Sequence, residues 1–226
     1  MQPIIAGIDT NIAYSCSIGH NVIFAALALK ALGDLPGLAT AEVTQRIRTV
    51  VESFTVGPRD DNAKKILGVD FSEIHLEPND DIPTYTDPEQ MADFVFREFI
   101  RFQRIYRKSS LTYAGHLLTH AQSLVSLLDL GYTDLARKGF DTHRLQVKFT
   151  RHFYDLDAPD LTRLAREERD WTKPEYWKQD LASNDWATGH YFKYAYHFSD
   201  LLKRVDDLPL KKKVLHQMGY LMSTFE

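Results

Sequence analysis

Cysteine is almost absent from this chain: Cys16 is the single one in 226 residues. One thiol excludes an intramolecular disulfide and any cysteine-based zinc site, and it suits a reducing compartment. A dominant charge is missing as well. Lys plus Arg is 27 and Asp plus Glu is 31, a formal charge of −4, whereas a nucleic-acid binder is normally basic over most of a domain. No nucleic-acid partner is expected. Ile18 to Leu32 is the most apolar stretch, but it carries His20, Asn21 and Lys30. It is also shorter than the roughly 20 residues of a membrane span, so it reads as a buried central helix and no membrane partner is expected. The first basic residue is Lys30, so the positive start of a secretory signal is missing and the expected location is cytoplasmic. Asn-Gly and Asp-Gly hairpin signals are absent. So are a Gly-rich phosphate loop, a G-x-S-x-G elbow, H-E-x-x-H and the Glu-x-x-His pair of ferritin-like di-iron centres.

What is present is ordinary globular material, 44% hydrophobic and 26% charged. A chain this long buries roughly 70% of its unfolded surface, so it needs no staples. The pattern is helical almost throughout. Helices are expected from about Gly19 to Leu32, and from Thr40 through Val43, Ile47, Val50, Val51 and Phe54. A short one is expected between Asp61 and Leu67. Asp87-Pro88-Glu89 is a strong start for a helix running to about Lys108. Further helices are expected over Ala114–Leu130, Thr133–Tyr154 and Asp157–Asp170, then a short one opened by Thr172 and Pro174, then Trp186–Arg204 and Leu210–Met222. The segment MQPIIAGID begins apolar with no obvious cap. Between Val69 and Thr86 lies an irregular connection rich in acids and prolines, read as a solvated excursion rather than a lid. About nine helices and no strand predict an all-α domain over 1–226, a multi-helix bundle or partial α/α toroid.

Nine histidines are the unusual entry in the composition. Gly-His occurs at Gly19-His20, Gly115-His116 and Gly189-His190, where composition alone predicts about 0.4 such dipeptides. Each precedes a long apolar-rich helical pattern. A helix N-terminus offers unpaired N–H groups, and glycine there allows close approach. If the three helix starts lie together, three imidazoles line one cavity mouth. His116 and His120 stand at i and i+4, the spacing with which one helix can offer two imidazoles to a metal ion. They are the candidate metal ligands, for a divalent transition metal such as Fe, Zn or Mn; a hydrogen-bonded structural pair is the competing reading. His190, Tyr194 and His197 form a second stripe with Lys193 beside it, a set suited to acid–base chemistry or to packing. His116, His120, His190 and Tyr194 are therefore the candidate catalytic residues, and His20, Lys193, His197 and Tyr113 the candidate substrate contacts. His143 is expected as a buried, hydrogen-bonded core residue. Arg97, Arg101, Arg104 and Lys108 share a stripe that could grip an anion, or simply be solvated.

The stretch GHLLTHAQSLVSLLDLGYTDLARKGFDTH resembles the questin oxidase family in its histidine pair followed by a leucine-rich run ending in Leu-Gly. His116, His120, Leu124, Leu127, Leu130 and Gly131 carry the likeness, and GHNVIFAALALKALG, ending in Leu32-Gly33, has a similar shape. The resemblance implies an α-helical fold and oxidoreductase chemistry by oxygen insertion into polycyclic aromatic ketones.

Two function classes follow. The leading one is an enzyme with a histidine-lined, aromatic-walled cavity between helices, acting on a small or medium organic molecule as its small-molecule substrate. The alternative is a helical interaction or scaffold protein whose histidines are structural. A homo-oligomer is compatible with either.

Overall fold

Several helices of this chain begin where a side chain can satisfy the unpaired N–H groups of the first turn. Thr40 accepts from the Val43 amide at 3.2 Å, Asp87 from Gln90 at 2.7 Å, and Asp207 from Leu210 at 2.9 Å. The computed structural model describes residues 1–14, 17–54, 68–107, 110–178 and 186–223. Among these residues there are nine α-helices and no strand, an all-α multi-helix bundle. They are α1 (Gln2–Asp9), α2 (His20–Asp34), α3 (Ala41–Ser53), α4 (Pro88–Phe99), α5 (Ser110–Asp129), α6 (Thr133–Thr150), α7 (Pro174–Trp177), α8 (Trp186–Leu202) and α9 (Leu208–Leu221).

Helix α5 is the hub. It packs against α2, α4, α6 and α8, while α1 lies across α3 and α9 leans on α4. Its apolar positions Leu117, Leu118, Ala121, Leu124 and Val125 are fully buried, and so are its polar ones, His116, Thr119, His120, Gln122 and Ser123. A helix covered on all sides must pair its polar groups with its neighbours. That requirement builds the site described below.

The expected helix boundaries need three corrections. The helix from Pro88 stops at Phe99 rather than near Lys108, and no helix forms over Asp157–Asp170. The two segments pair with each other or with nearby chain instead. The Gln103 amide donates to the Tyr154 carbonyl at 2.9 Å, Arg107 to Thr162 at 2.9 Å and Leu164 to Ile105 at 2.8 Å, around an isolated bridge between Tyr106 and Arg163. Phe102, Ile105 and Tyr106 are buried in this extended form. The basic stripe of Arg97, Arg101 and Arg104 is broken up accordingly. Arg97 pairs with Asp93 and Asp207, Arg101 with Glu98, and Arg104 lies 3.9 Å from Asp157. Third, MQPIIAGID forms α1 and buries Ile4 and Ile8 in the core. The expected helix between Asp61 and Leu67, together with Lys108 and Cys16, lies outside the described residues.

The acidic connection of residues 69–86 is irregular, as its composition suggests, but it is tied down rather than free. Arg144 and Lys148 share one face of α6, and Arg151 follows just past its end. Lys148 donates to Asp80 at 2.9 Å and to the His75 carbonyl at 2.7 Å, Arg144 to the Ile82 carbonyl at 3.1 Å, and Arg151 pairs with Asp81. Ile82 and Tyr85 are buried beneath.

Candidate metal centre

The three Gly-His dipeptides do meet, though by a different route from three aligned helix starts. His20 is the first residue of α2, but His190 lies about one turn into α8 and His116 nearly two turns into α5. One nitrogen from each of His20, His116 and His190 lies within 4.8 Å of the other two. The ring centroids are 4.5 Å apart for His20–His116, 5.6 Å for His116–His190 and 6.0 Å for His20–His190.

Two glycines make this convergence possible. Gly19 has φ +86° and follows Ile18 at φ +61°, so the chain makes a left-handed turn into α2. The non-glycine member of such a turn costs about 1 kcal/mol. A Cβ on Gly19 would stand 2.7 Å from the His120 ring, so the start of α2 presses directly on α5. Gly115 lets the Tyr194 ring lie against the α5 backbone, where a Cβ would come within 2.2 Å of it. Tyr194 in turn brings α8 close enough for His190 and Lys193 to reach His116. Among the described residues, nothing lies within 4 Å of the Cβ position of Gly189.

His116 is the best-defined member. Its Nδ1 lies 2.7 Å from the Thr112 carbonyl, which can only accept, so Nδ1 carries the proton and Nε2 presents a lone pair. A backbone carbonyl fixing the tautomer in this way is the usual outer support of a metal-bound histidine. That Nε2 is 3.1 Å from His20 Nε2 and 3.0 Å from Lys193 Nζ, and Lys193 Nζ is 3.4 Å from His20 Nε2. Burial, reinforced by Lys193 and His20, holds the His116 imidazole well below its ordinary pKa and therefore neutral. Burial also lowers Lys193, to about 7. His20, His190 and Lys193 are half-buried, so the cluster reaches the surface. Phe54 stacks on His20 at 5.8 Å and Phe24, 45% exposed, lies 6.0 Å from it.

His120, expected to share a metal with His116, does not join this group. Its ring turns toward α6, where Nδ1 donates to Gln146 Oε1 at 2.6 Å and the ring meets His143 at 5.3 Å. One helical turn changes the azimuth by enough to face a different neighbour when a helix is packed on every side. His143 occupies the buried place expected for it: Nε2 donates to the Leu117 carbonyl at 3.1 Å and Nδ1 accepts from the Tyr85 hydroxyl at 2.8 Å. Burial lowers His120 to about 4 and His143 to about 3. His197 is also turned inward, with Nδ1 donating to the Lys193 carbonyl at 2.6 Å and Nε2 3.5 Å from Ser123 Oγ. Tyr113 stacks on Phe153 at 4.2 Å in the core. Of the candidate residues, His20, His116, His190, Lys193 and Tyr194 come together, and His120, His197 and Tyr113 do not.

The histidine-lined, aromatic-walled cavity of the sequence reading divides into two places. An open cavity of about 430 Å³ is walled by Trp171, Trp177, Phe192 and Tyr196, with Asp200 and Lys203 in its lining. Phe192 and Tyr196 occupy the face of α8 opposite His190, Lys193 and Tyr194. Phe54 and Phe24 at the histidine cluster were not singled out from sequence, because nothing marks an aromatic at the end of α3 as the neighbour of His20. Among the described residues no helix is long and apolar enough to cross a membrane.

The fold and the cluster thus define an all-α helical bundle with a three-histidine site joining α2, α5 and α8. Comparison of the chain with known protein families, characterised proteins and solved structures finds no match.

Proposed function

We propose that His20, His116 and His190 form a transition-metal centre and that the protein is a metal-dependent enzyme acting on a small or medium organic molecule. The observation that carries this reading is the convergence of three imidazole donors from three separate helices within 4.8 Å. Ligand bonds of 2.0–2.1 Å in a tetrahedral site place neighbouring nitrogens about 3.3 Å apart, close to the 3.1 Å between His116 and His20. Neutral imidazoles suit Zn and Fe, with Mn a weaker fit to an all-nitrogen set. Three protein ligands leave a coordination position for water or for a substrate oxygen, the arrangement of catalytic rather than structural sites. Phe24 and Phe54 beside His20 give an apolar substrate a surface to rest on.

The same two rings favour a second reading within this class. The resemblance to the questin oxidase family points to oxidoreductase chemistry on polycyclic aromatic ketones, which would need such a surface. That likeness rests on His116 and His120 together, whereas His116 alone of the two belongs to the proposed centre. The scaffold alternative takes its support from His120, His143 and His197, whose imidazoles are engaged with neighbouring helices.

Elemental analysis of protein expressed with iron, zinc and manganese supplied decides between metal centre and scaffold. The centre requires close to one metal per chain in the wild type and none in His116→Ala. Sub-stoichiometric metal under every supplement, unchanged by the substitution, overturns it.

A further inference from the structure

Lys193 is in an unusual place for an amine. A buried or half-buried ammonium is normally matched with a carboxylate, yet among the described residues Lys193 has no acidic partner. Its Nζ donates instead toward imidazoles, 3.0 Å from His116 Nε2 and 3.4 Å from His20 Nε2, with the Tyr194 ring 5.5 Å away. His116 Nε2 must accept, because Thr112 has claimed the proton of the other ring nitrogen. When protonated, the amine is thus a tethered cation sitting at the nitrogens that a metal ion would use.

We propose that Lys193 is the built-in competitor of the metal at this centre: in the metal-free chain its ammonium occupies the imidazole lone pairs, and metal binding requires it to swing out. This inference rests on the three-histidine centre proposed above and adds its regulation. Two considerations make the occupancy exclusive. A lone pair directed at one cation cannot serve a second, and a dication bonded to His116 would lie within a few ångströms of the ammonium, where like charges in a partly desolvated site repel strongly. Lys193 has the means to leave. It stands one turn beyond His190 on α8, is half-buried rather than enclosed, and carries a flexible four-carbon stem. The competition raises the metal concentration at which the centre loads, and it discourages weakly bound ions. Once displaced, the amine stays beside the open face of the centre, where it can meet an anionic oxygen of a bound substrate.

The test is a chelator-competition titration with Zn²⁺ on the wild type, Lys193→Met and His116→Ala. Lys193→Met keeps the length of the side chain and removes the cation. It is expected to bind Zn²⁺ about tenfold more tightly than the wild type, the worth of one displaced charge-assisted hydrogen bond. A second readout uses the wild type alone: acetylation of Lys193 by a water-soluble acylating reagent, followed by peptide mass spectrometry, rises when Zn²⁺ saturates the protein. Equal or weaker Zn²⁺ binding by Lys193→Met, or labelling that falls on metal loading, overturns the competition while leaving the centre standing. If neither wild type nor Lys193→Met binds Zn²⁺ more tightly than His116→Ala, the centre itself fails and the competition falls with it.

Discussion

His116 and His120 are one helical turn apart on α5, both are buried, and both imidazoles are held neutral by that burial. Their surroundings differ in a way that assigns them different work. His120 turns toward α6 into a polar layer with Gln146, His143 and Tyr85, where donors meet amide, carbonyl and hydroxyl partners. His116 anchors one nitrogen on its own helix and directs the other at two further histidines and a lysine. Among the described residues, His120 has one hydrogen bond, from Nδ1 to the Gln146 side chain, and directs no nitrogen at the three-histidine cluster. At His116 the lone pair is turned toward nitrogens of His20 and Lys193, which can donate to it, and the same lone pair is available to a metal ion. The chemistry of the partner set, rather than burial or spacing, separates the two.

That contrast can be broken most severely by removing each ring in turn. His116→Ala is expected to lower metal affinity by about 100-fold or more, as loss of a ligand exceeds the 10–100-fold typical of outer-sphere changes. His120→Ala leaves the metal stoichiometry unchanged and lowers stability instead; equal metal loss in both variants would erase the distinction. His143→Ala deprives the Tyr85 hydroxyl and the Leu117 carbonyl of their buried partner. It should cost about 2–4 kcal/mol in urea unfolding with metal content intact.

Gly115→Ala sharpens the comparison from the other side. Its Cβ would overlap the Tyr194 ring, so α8 must shift, at a cost of about 1–3 kcal/mol. Because His190 and Lys193 move with α8, metal affinity should fall as well, whereas the polar layer of His120 and His143 between α5 and α6 is untouched. A variant with unaltered metal binding would show that α8 is not positioned by this contact.

The smallest effect, counted per histidine and per pH unit, is a pH dependence. The folded pKa values of His120 and His143, about 4 and about 3, lie below the unfolded value near 6.5. The stability they contribute is present above pH 6.5 and is lost as pH falls, because the unfolded chain takes up protons that the folded one refuses. Each contributes a slope of about 1.4 kcal/mol per pH unit between roughly pH 6 and its folded value. Unfolding measured in metal-free buffer at pH 7.5, 6 and 5 should show this decline, and His143→Gln should reduce the slope by one histidine's share. A flat profile would mean that these imidazoles are not held neutral by the fold.

Much of the fold was readable because it rests on local rules. Thr40, Asp87 and Asp207 cap helices that start at or near the expected places, and Asp87-Pro88 was visible as a start signal. The segments that misled are those where tertiary pairing overrides periodicity. Residues 103–107 carry helical spacing, but the Gln103 and Arg107 amides donate to Tyr154 and Thr162, and the Ile105 carbonyl accepts from Leu164, around the bridge between Tyr106 and Arg163. The repeated Gly-His dipeptide pointed to His20, His116 and His190, because glycine beside histidine allows the close approach seen at Gly19 and Gly115. Spacing misassigned His120, since i and i+4 tell which rings leave one helix together and not which neighbour receives each. Lys193 stands out in the sequence only for its place beside the His190–Tyr194–His197 stripe. Its role against His116 depends on α8 lying on α5, which no local pattern encodes. Phe24 and Phe54 carried no signal for the same reason.

The most direct test of the central claim is metal stoichiometry across four proteins prepared side by side: wild type, His116→Ala, His190→Ala and His120→Ala. The three-histidine centre predicts close to one metal per chain in the wild type and in His120→Ala, and none in His116→Ala or His190→Ala. A wild type without stoichiometric metal, or a metal lost with His120 and kept without His190, would contradict it.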